Sequence, residues 1–273
     1  NFKNYLLTTT TAYDADSNSI VIDSNMNNEI EAEEVLVVSK LIVSDSSISN
    51  LDGLSYFTNL KNFELLGNSL LATVNLTDLQ SLEYFFCVGN GMLTSINFEG
   101  ISNLKSISIL NNLTLTNVNT TGLTALEDFE AMNNSMFNQY NFNHLTSLQY
   151  LSCNTLTSFS VDGLQNLTEI WLICETPSLN LFTTVSITNL PNLDIFQIQN
   201  TGVTELNLQN LPNLRVLWIS DNPLADIDLS GLNMPTVFEE EKYFYGRNNY
   251  FSAIDFSGTN FTTKDITNNQ LVY

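Results

Sequence analysis

The sequence predicts a stacked solenoid with a parallel sheet along one face, and three features of its spacing carry that prediction. Leucines recur every 22 residues, at Leu60, Leu82, Leu104, Leu126 and Leu148. Apolar residues return three and five places after each opening leucine, and in the first four units an asparagine returns eight places after it. A fixed period between about 20 and 50 residues marks units that can bury their apolar face only against one another.

Read from the N-terminus, residues 1–37 lack the repeat and form a predicted cap. Within it, the run from Asp23 to Glu34 matches a twelve-residue EF-hand loop at each ligand position: Asp23, Asn25, Asn27, the Glu29 carbonyl and Glu34. Such a loop needs side-chain oxygens at one, three and five, a carbonyl at seven and a carboxylate at twelve to surround a hard cation, here one calcium ion. Asn28 stands where glycine is expected for a left-handed turn, and asparagine is the best substitute there. Ser19 to Ile22 reads as extended, which leaves the entering helix missing or displaced to Asn4–Leu7, and Glu31 to Val38 could supply the exiting helix. A bare Asx-rich turn is the competing reading. Asp14, Asp16 and Asn18 alternate in the same way and are a weaker second candidate.

The array occupies residues 38–273, about ten repeats with the last incomplete. Val38, Leu41 and Val43 open it. Leu60, Phe63, Leu65 and Asn68 follow, then Leu82, Phe85, Cys87 and Asn90, then Leu104, Ile107, Ile109 and Asn112, then Leu126, Phe129, Ala131 and Asn134. Side chains alternate along a strand, so the paired apolar residues face inward while the residues between them face out. Ile96, Phe98 and Ile101 exemplify a second inward set lining the back of the core. The asparagines are expected to turn inward and satisfy backbone groups left unpaired at the bend, since a buried amide needs such partners. Later units drift: 19 residues from Leu148 to Leu167, then 26 to Leu193, with the extra residues around Glu175–Thr184 forming a loop. Leu193, Phe196, Ile198 and Val203 continue the array, followed by Leu214, Leu217, Ile219 and Asn222. Past Pro235 an acidic insertion, Glu239–Glu241, precedes a unit read on Tyr243, Tyr245, Asn248 and Phe251. A partial unit with Ile266, Asn269 and Leu271 ends the chain.

The pattern L-x-x-L-x-L-x-x-N resembles that of leucine-rich repeat proteins. With the FKNYL start, the Asp/Asn-rich loop and the acidic array, the chain resembles secreted or surface-anchored leucine-rich repeat proteins of Bacteroidetes-type bacteria, and more distantly bacterial internalins. The resemblance implies a right-handed curved stack with the sheet on its concave face and short irregular, 3-10 or extended segments on its convex face. It also implies extracellular binding or adhesion through the concave sheet.

Composition fits. At 43% hydrophobic residues the chain has material for a continuous core, and no apolar run approaches the roughly 20 residues needed to span a bilayer. The start at Asn1, with neither methionine nor signal peptide, and the end inside a repeat predict a processed or trimmed chain. Eight basic against 29 acidic residues, a net charge of −21, argue against nucleic acid and anionic membranes. Cys87 and Cys153 share one inward position three repeats apart, roughly 14 Å, beyond disulfide reach. With Cys174 they read as small buried hydrophobes.

Catalysis finds little support. The single histidine, His144, has no nucleophile beside it, and phosphate loops and zinc spacings are missing. Asp128, Glu130 and Glu169 could form a carboxylate pair, but a sheet surface offers no cleft to raise a pKa. The outward rows are more informative. One reads Glu64, Phe86, Ser108, Glu130, Ser152, Trp171, Gln197, Trp218 and Phe244. Its neighbour reads Asn62, Tyr84, Ser106, Asp128, Tyr150, Glu169, Ile195, Val216 and Lys242. Exposed aromatics on a sheet call for a partner, so Tyr84, Phe86, Tyr150, Trp171 and Trp218 are the expected anchors, with Asp128, Glu130 and Glu169 setting specificity. The sequence thus predicts a non-enzymatic, extracellular, monomeric binding protein whose ligand is a protein. A polysaccharide stacked on Trp171 and Trp218, or a spacer with no ligand, is the alternative, and Thr176–Leu181 is the next candidate surface.

Overall fold

The computed structural model describes residues 2–9, 11–44, 48–134, 141–154, 158–174, 183–235 and 241–271. It divides into two compact units, Asn1–Met136 and Phe137–Tyr273. Each is a solenoid of leucine-rich repeats. The loop expected at Glu175–Thr184, with the alternative surface at Thr176–Leu181, lies outside the described residues but for its last two, 183 and 184.

The first unit begins with helix α1, Phe2–Thr8, whose Phe2 and Leu6 are buried four residues apart. Strands β1 (Ala12–Tyr13) and β2 (Ser19–Ile20) form a short antiparallel pair, and α2 spans Ala32–Val35. Five repeat strands follow: β3 (Lys40–Ser44), β4 (Asn62–Leu66), β6 (Tyr84–Val88), β8 (Ser106–Leu110) and β10 (Asp128–Met132). They pair in parallel at a register of one repeat, Lys40 with Asn62, Tyr84, Ser106 and Asp128 in turn, while β1 closes the edge antiparallel to β3. The cap is pinned to this edge by Tyr5, whose hydroxyl donates to the Ile42 carbonyl at 2.8 Å and accepts from the Ser44 amide at 3.1 Å. On the back, β5 (Thr73–Asn75), β7 (Ser95–Asn97) and β9 (Asn117–Asn119) make a second parallel sheet.

The second unit has β11 (Tyr150–Cys153), β13 (Glu169–Ile173), β15 (Ile195–Gln199), β17 (Val216–Trp218), β18 (Tyr243–Tyr245) and β19 (Thr263–Asp265) in one parallel sheet. Its back carries β12 (Ser158–Asp162), β14 (Thr184–Thr188) and β16 (Glu205–Gln209). Both back sheets are built from extended segments, one of the forms expected there.

The alternating pattern is realised in the core. Phe63, Leu65, Leu82, Leu104, Ile109 and Leu126 are fully buried, and Ile96, Phe98 and Ile101 line the back as expected. Full burial of each such side chain is worth about 1.5–3 kcal/mol. All three cysteines are buried and free, and burial pushes the Cys87 thiol up to about 12.

The asparagines form the ladder that the spacing predicts. Asn68, Asn90 and Asn112 are wholly inaccessible, and Asn134 is nearly so. Each side chain donates back to the inward strand of the preceding repeat: Asn68 to the Val43 carbonyl at 3.0 Å, Asn90 to Leu65 at 3.2 Å, Asn112 to Cys87 at 3.1 Å and Asn134 to Ile109 at 2.8 Å. The carbonyl oxygens of Asn90, Asn112 and Asn134 accept the backbone N–H of the previous ladder position, as Asn112 does from Asn90 at 2.9 Å. The corner just before each one is left-handed. Gly67 and Gly89 supply it first, at φ of 66° and 68°, then Asn111 and Asn133, because only glycine and asparagine enter that region cheaply.

The last full repeat corrects the register read from sequence. Phe244, read as outward, is fully buried between Phe256 at 5.0 Å and Phe261 at 5.6 Å, while Tyr243 and Tyr245 face out. Asn249, not Asn248, enters the ladder and donates to the Ile219 carbonyl at 3.0 Å, with Asn248 the left-handed corner before it. The physical reason is that an inward Tyr243 and Tyr245 would bury two hydroxyls, and a one-residue slip exchanges every side chain between faces. Consequently Tyr243, not Lys242, continues the row of Val216, and Tyr245 continues that of Trp218.

Candidate functional site

The expected ligand-binding residues fall in both units: Tyr84, Phe86, Asp128 and Glu130 in the first, Tyr150, Glu169, Trp171 and Trp218 in the second. All sit on outward strand positions.

In the first unit three outward rows run across the strands. One carries Lys40, Asn62, Tyr84, Ser106 and Asp128, with Tyr84 46% exposed. The middle row carries Ile42, Glu64, Phe86, Ser108 and Glu130, where Ser108 donates its hydroxyl to Glu130 at 2.7 Å. The third row, which the sequence reading passed over, is Ser44, Leu66, Val88, Leu110 and Met132. Its four apolar members recur six places after each opening leucine, on positions where the side chain must face away from the core. The turns just past these strand ends add the exposed Leu70, Met92 and Leu113. Before the strands lies a row of alternating charge: Lys61 and Lys105 pair with Glu83 at 3.0 and 2.7 Å, holding its carboxyl below the ordinary range. Glu127 is next, and burial together with Glu127 pushes the Asp128 carboxyl up.

In the second unit the outward rows are aromatic and amide. Trp171, Gln197, Trp218 and Tyr245 follow one another strand by strand, alongside Tyr150, Glu169, Ile195, Val216 and Tyr243. The Trp171 indole donates to Glu169 at 3.0 Å. Trp218 packs on Tyr245 at 4.9 Å, and Tyr245 stacks on Tyr243 at 6.1 Å with an 8° tilt. Tyr243 and Tyr245 were missed because the 27-residue spacing from Val216 hides the register.

At the cap, α1 stands where an entering helix was displaced, Ser19–Ile20 is extended as read, and the exiting helix is one turn, α2. Asp23 and Glu34 are both buried. Asp23 accepts the backbone N–H of Asn27 at 3.0 Å and of Asn28 at 2.9 Å. Glu34 accepts the amides of Glu31, Ser24 and Asn25 and the Ser24 hydroxyl, and these bonds, led by the Glu31 amide, lower its carboxyl to about 2. Asn25 and Asn27 donate their side-chain amides to Glu31, a residue absent from the predicted ligand set. Asn28 adopts φ 65°, the left-handed conformation the loop needs. The side chain of Glu29 pairs with Lys3. Among the described residues no group of three or more His, Cys, Asp or Glu side chains is placed to hold a metal ion. Asp14, the weaker candidate, closes the β1–β2 turn by accepting the amides of Asp16 and Asn18. His144 is exposed.

No family model matches the chain, and no curated protein matches it. Among solved structures, InlP of Listeria monocytogenes is 16% identical at a TM-score of 0.52, over 85% of this chain and 62% of that one. The leucine-rich repeat domain of APL1B is 16% identical at a TM-score of 0.51, over 85% and 70%. An internalin, inlF, from Listeria monocytogenes is 17% identical over 93% and 88%, with a TM-score of 0.44. The likeness to InlP and APL1B shows the fold, a leucine-rich repeat solenoid, and no helix among the described residues is long and apolar enough to cross a membrane.

Proposed function

We propose that the chain is a non-enzymatic recognition protein of the bacterial exterior and that the outward sheet face of its first unit binds a protein partner. The observation that carries this reading is the row Leu66, Val88, Leu110 and Met132, apolar on four successive strands and turned away from the core. With Phe86, Tyr84 and the exposed turn residues Leu70, Met92 and Leu113 it makes an apolar strip, and the charged positions at Glu64, Glu83, Asp128 and Glu130 rim it. An apolar centre inside a polar rim is the anatomy of a protein interface. Glu64 and Glu83 are paired with Lys40, Lys61 and Lys105, and the excess of acid at Glu127, Asp128 and Glu130 selects a partner with basic residues around an apolar knob. The double variant Val88→Asp, Leu110→Asp should lose a protein captured by the parent chain while the melting temperature stays unchanged. Undiminished capture by a folded double variant would place the interface elsewhere.

We propose further that the Asp23–Glu34 loop takes one calcium ion, with oxygens from Asp23, Asn25, Asn27, Glu29 and Glu34. The left-handed Asn28 supports this reading, since it supplies the turn that glycine gives in such loops. Binding to the folded state alone raises stability by mass action, so calcium should produce heat in calorimetry of chelator-treated protein and raise its melting temperature. Absence of both effects would leave a loop closed by its own hydrogen bonds.

A further inference from the structure

We propose that the outward face of the second unit is a stacking track for a neutral, extended, β-linked polysaccharide, independent of the protein-binding face of the first unit. Register is the first ground. Trp171, Gln197, Trp218 and Tyr245 stand on β13, β15, β17 and β18 at matched positions, so they follow one another at the strand spacing of roughly 4.8 Å. That step is close to the length one pyranose adds to an extended β-linked chain, so each strand can present one side chain to one sugar. Such a chain is a flat two-fold ribbon that shows the same sugar face at every second residue. The two tryptophans stand two strands apart, with the Gln197 amide between them where the opposite edge and its hydroxyls pass.

Chemistry is the second ground. The axial C–H bonds of a pyranose carry slight positive charge and meet the negative face of an aromatic ring. Hydroxyls need donors and acceptors beside those rings. The Glu169 carboxylate fixes the Trp171 ring through its indole N–H. The Trp218 indole N–H is buried without a hydrogen-bond partner, so this ring offers the track its face, and its N–H becomes a donor only if the ring turns. Gln197, largely buried between the two tryptophan strands, donates to Gln199 on its own strand.

Charge is the third. From Trp171 to Tyr245 the row carries no ionised side chain, and the nearby Arg215 is held by both oxygens of Asp194 at 2.9 and 2.8 Å. Glu169 and Asp265 bracket the row, and this repels anionic polymers such as uronates. The aliphatic strip that favours a protein in the first unit has no counterpart here.

The test uses the intact chain and its own fluorescence, because Trp171 and Trp218 are the two tryptophans of the sequence. Titration with cellohexaose or xylohexaose should shift and saturate the tryptophan emission as sugars displace water from the rings. Cellobiose should bind much more weakly, and maltohexaose, whose α-linkages curl the chain, should give no response. Trp218→Ala should weaken binding roughly 30-fold, the effect of a hot-spot aromatic, and Trp218→Phe should recover part of it. The Val88→Asp, Leu110→Asp variant should bind the hexasaccharides as the parent does, so failure of the protein-binding reading leaves this result intact. Unchanged emission together with no calorimetric heat for either hexasaccharide would overturn the proposal. An equal response to maltohexaose would overturn it too, as would a glycan-free protein ligand lost on Trp218→Ala.

Discussion

The two units share the same inward frame and differ in the chemistry of their outward positions. In the first, five strands at a constant 22-residue register carry an aliphatic strip bordered by paired charges. In the second, strands at registers of 19, 26, 21, 27 and 20 residues carry aromatics and amides. The difference teaches that repeat length and surface chemistry are both free to vary as long as three things return: the inward pair, the left-handed corner and the ladder residue. Even the ladder tolerates a replacement. Thr201 stands where asparagine is expected, yet its amide and hydroxyl both donate to Asn222 at 3.0 Å.

That contrast can be broken most forcefully at the ladder. Asn112→Leu in the first unit removes the acceptor for Asn90 and the donor to Cys87. It should lower stability in urea by about 2–3 kcal/mol, near the upper end for stranding buried polar groups. Asn269→Leu, half-buried at the last described ladder position of the second unit, should cost under about 1 kcal/mol, since water can reach what it leaves unpaired. Equal losses would mean that the ladder is not the shared frame.

A smaller effect tests the corrected register. Phe244→Tyr puts a hydroxyl into a packed aromatic site and should cost about 1–3 kcal/mol. Tyr245→Phe, on the outward face, should stay within about 0.5 kcal/mol. Reversal of that order in denaturant melts would restore the sequence-based register.

The smallest effect concerns the cap. Glu34 has a carboxyl lowered from 4.5 to about 2 by bonds that exist only in the folded loop. A depressed carboxylate contributes stability that is present above its unfolded value and is lost as pH falls through the folded one. Hydrogen exchange of the Ser24 and Glu31 amides should therefore be constant above pH 4.5 and quicken, relative to the intrinsic rate, between there and pH 2. In Glu34→Gln that change should vanish while the repeats of both units keep their protection.

Much of this architecture could be read from the sequence because inward positions are tightly constrained. Leu60, Phe63, Leu65 and Asn68 each have one place to go, and the 22-residue echo places all four. Outward positions obey no such rule. The strip from Leu66 to Met132 recurs as faithfully as the core, yet it reads as more core until side-chain direction is worked out strand by strand. Tyr243 and Tyr245 escaped because Phe244 between them is also aromatic, so hydrophobicity alone cannot choose the face. The back strands Ser158–Asp162 and Thr184–Thr188 escaped because their outward residues are Ser, Thr and Asp, which resemble loop. At the cap, the oxygens from Asp23 to Glu34 were legible, but the role of Glu31 in binding both asparagine amides depends on a fold that spacing does not encode.

The ladder also bears on how such a chain can grow. Asn90, Asn112 and Asn134 each donate to the repeat before them and accept the N–H of that repeat's ladder residue, so the bonds run in one direction and each such unit carries one half of each joint. A duplicated segment that begins and ends at equivalent places brings a complete set of donors and acceptors, and it can be spliced in without leaving either neighbour short. In both units the distance from the second inward residue to the ladder residue stays at three, as in Leu65 to Asn68, Ile198 to Thr201 and Ile219 to Asn222. Gains and losses of length collect on the remaining arc of each turn. The molecule can thus lengthen by whole turns, or bulge at its back, while a duplicated turn is at liberty to acquire a new outward face.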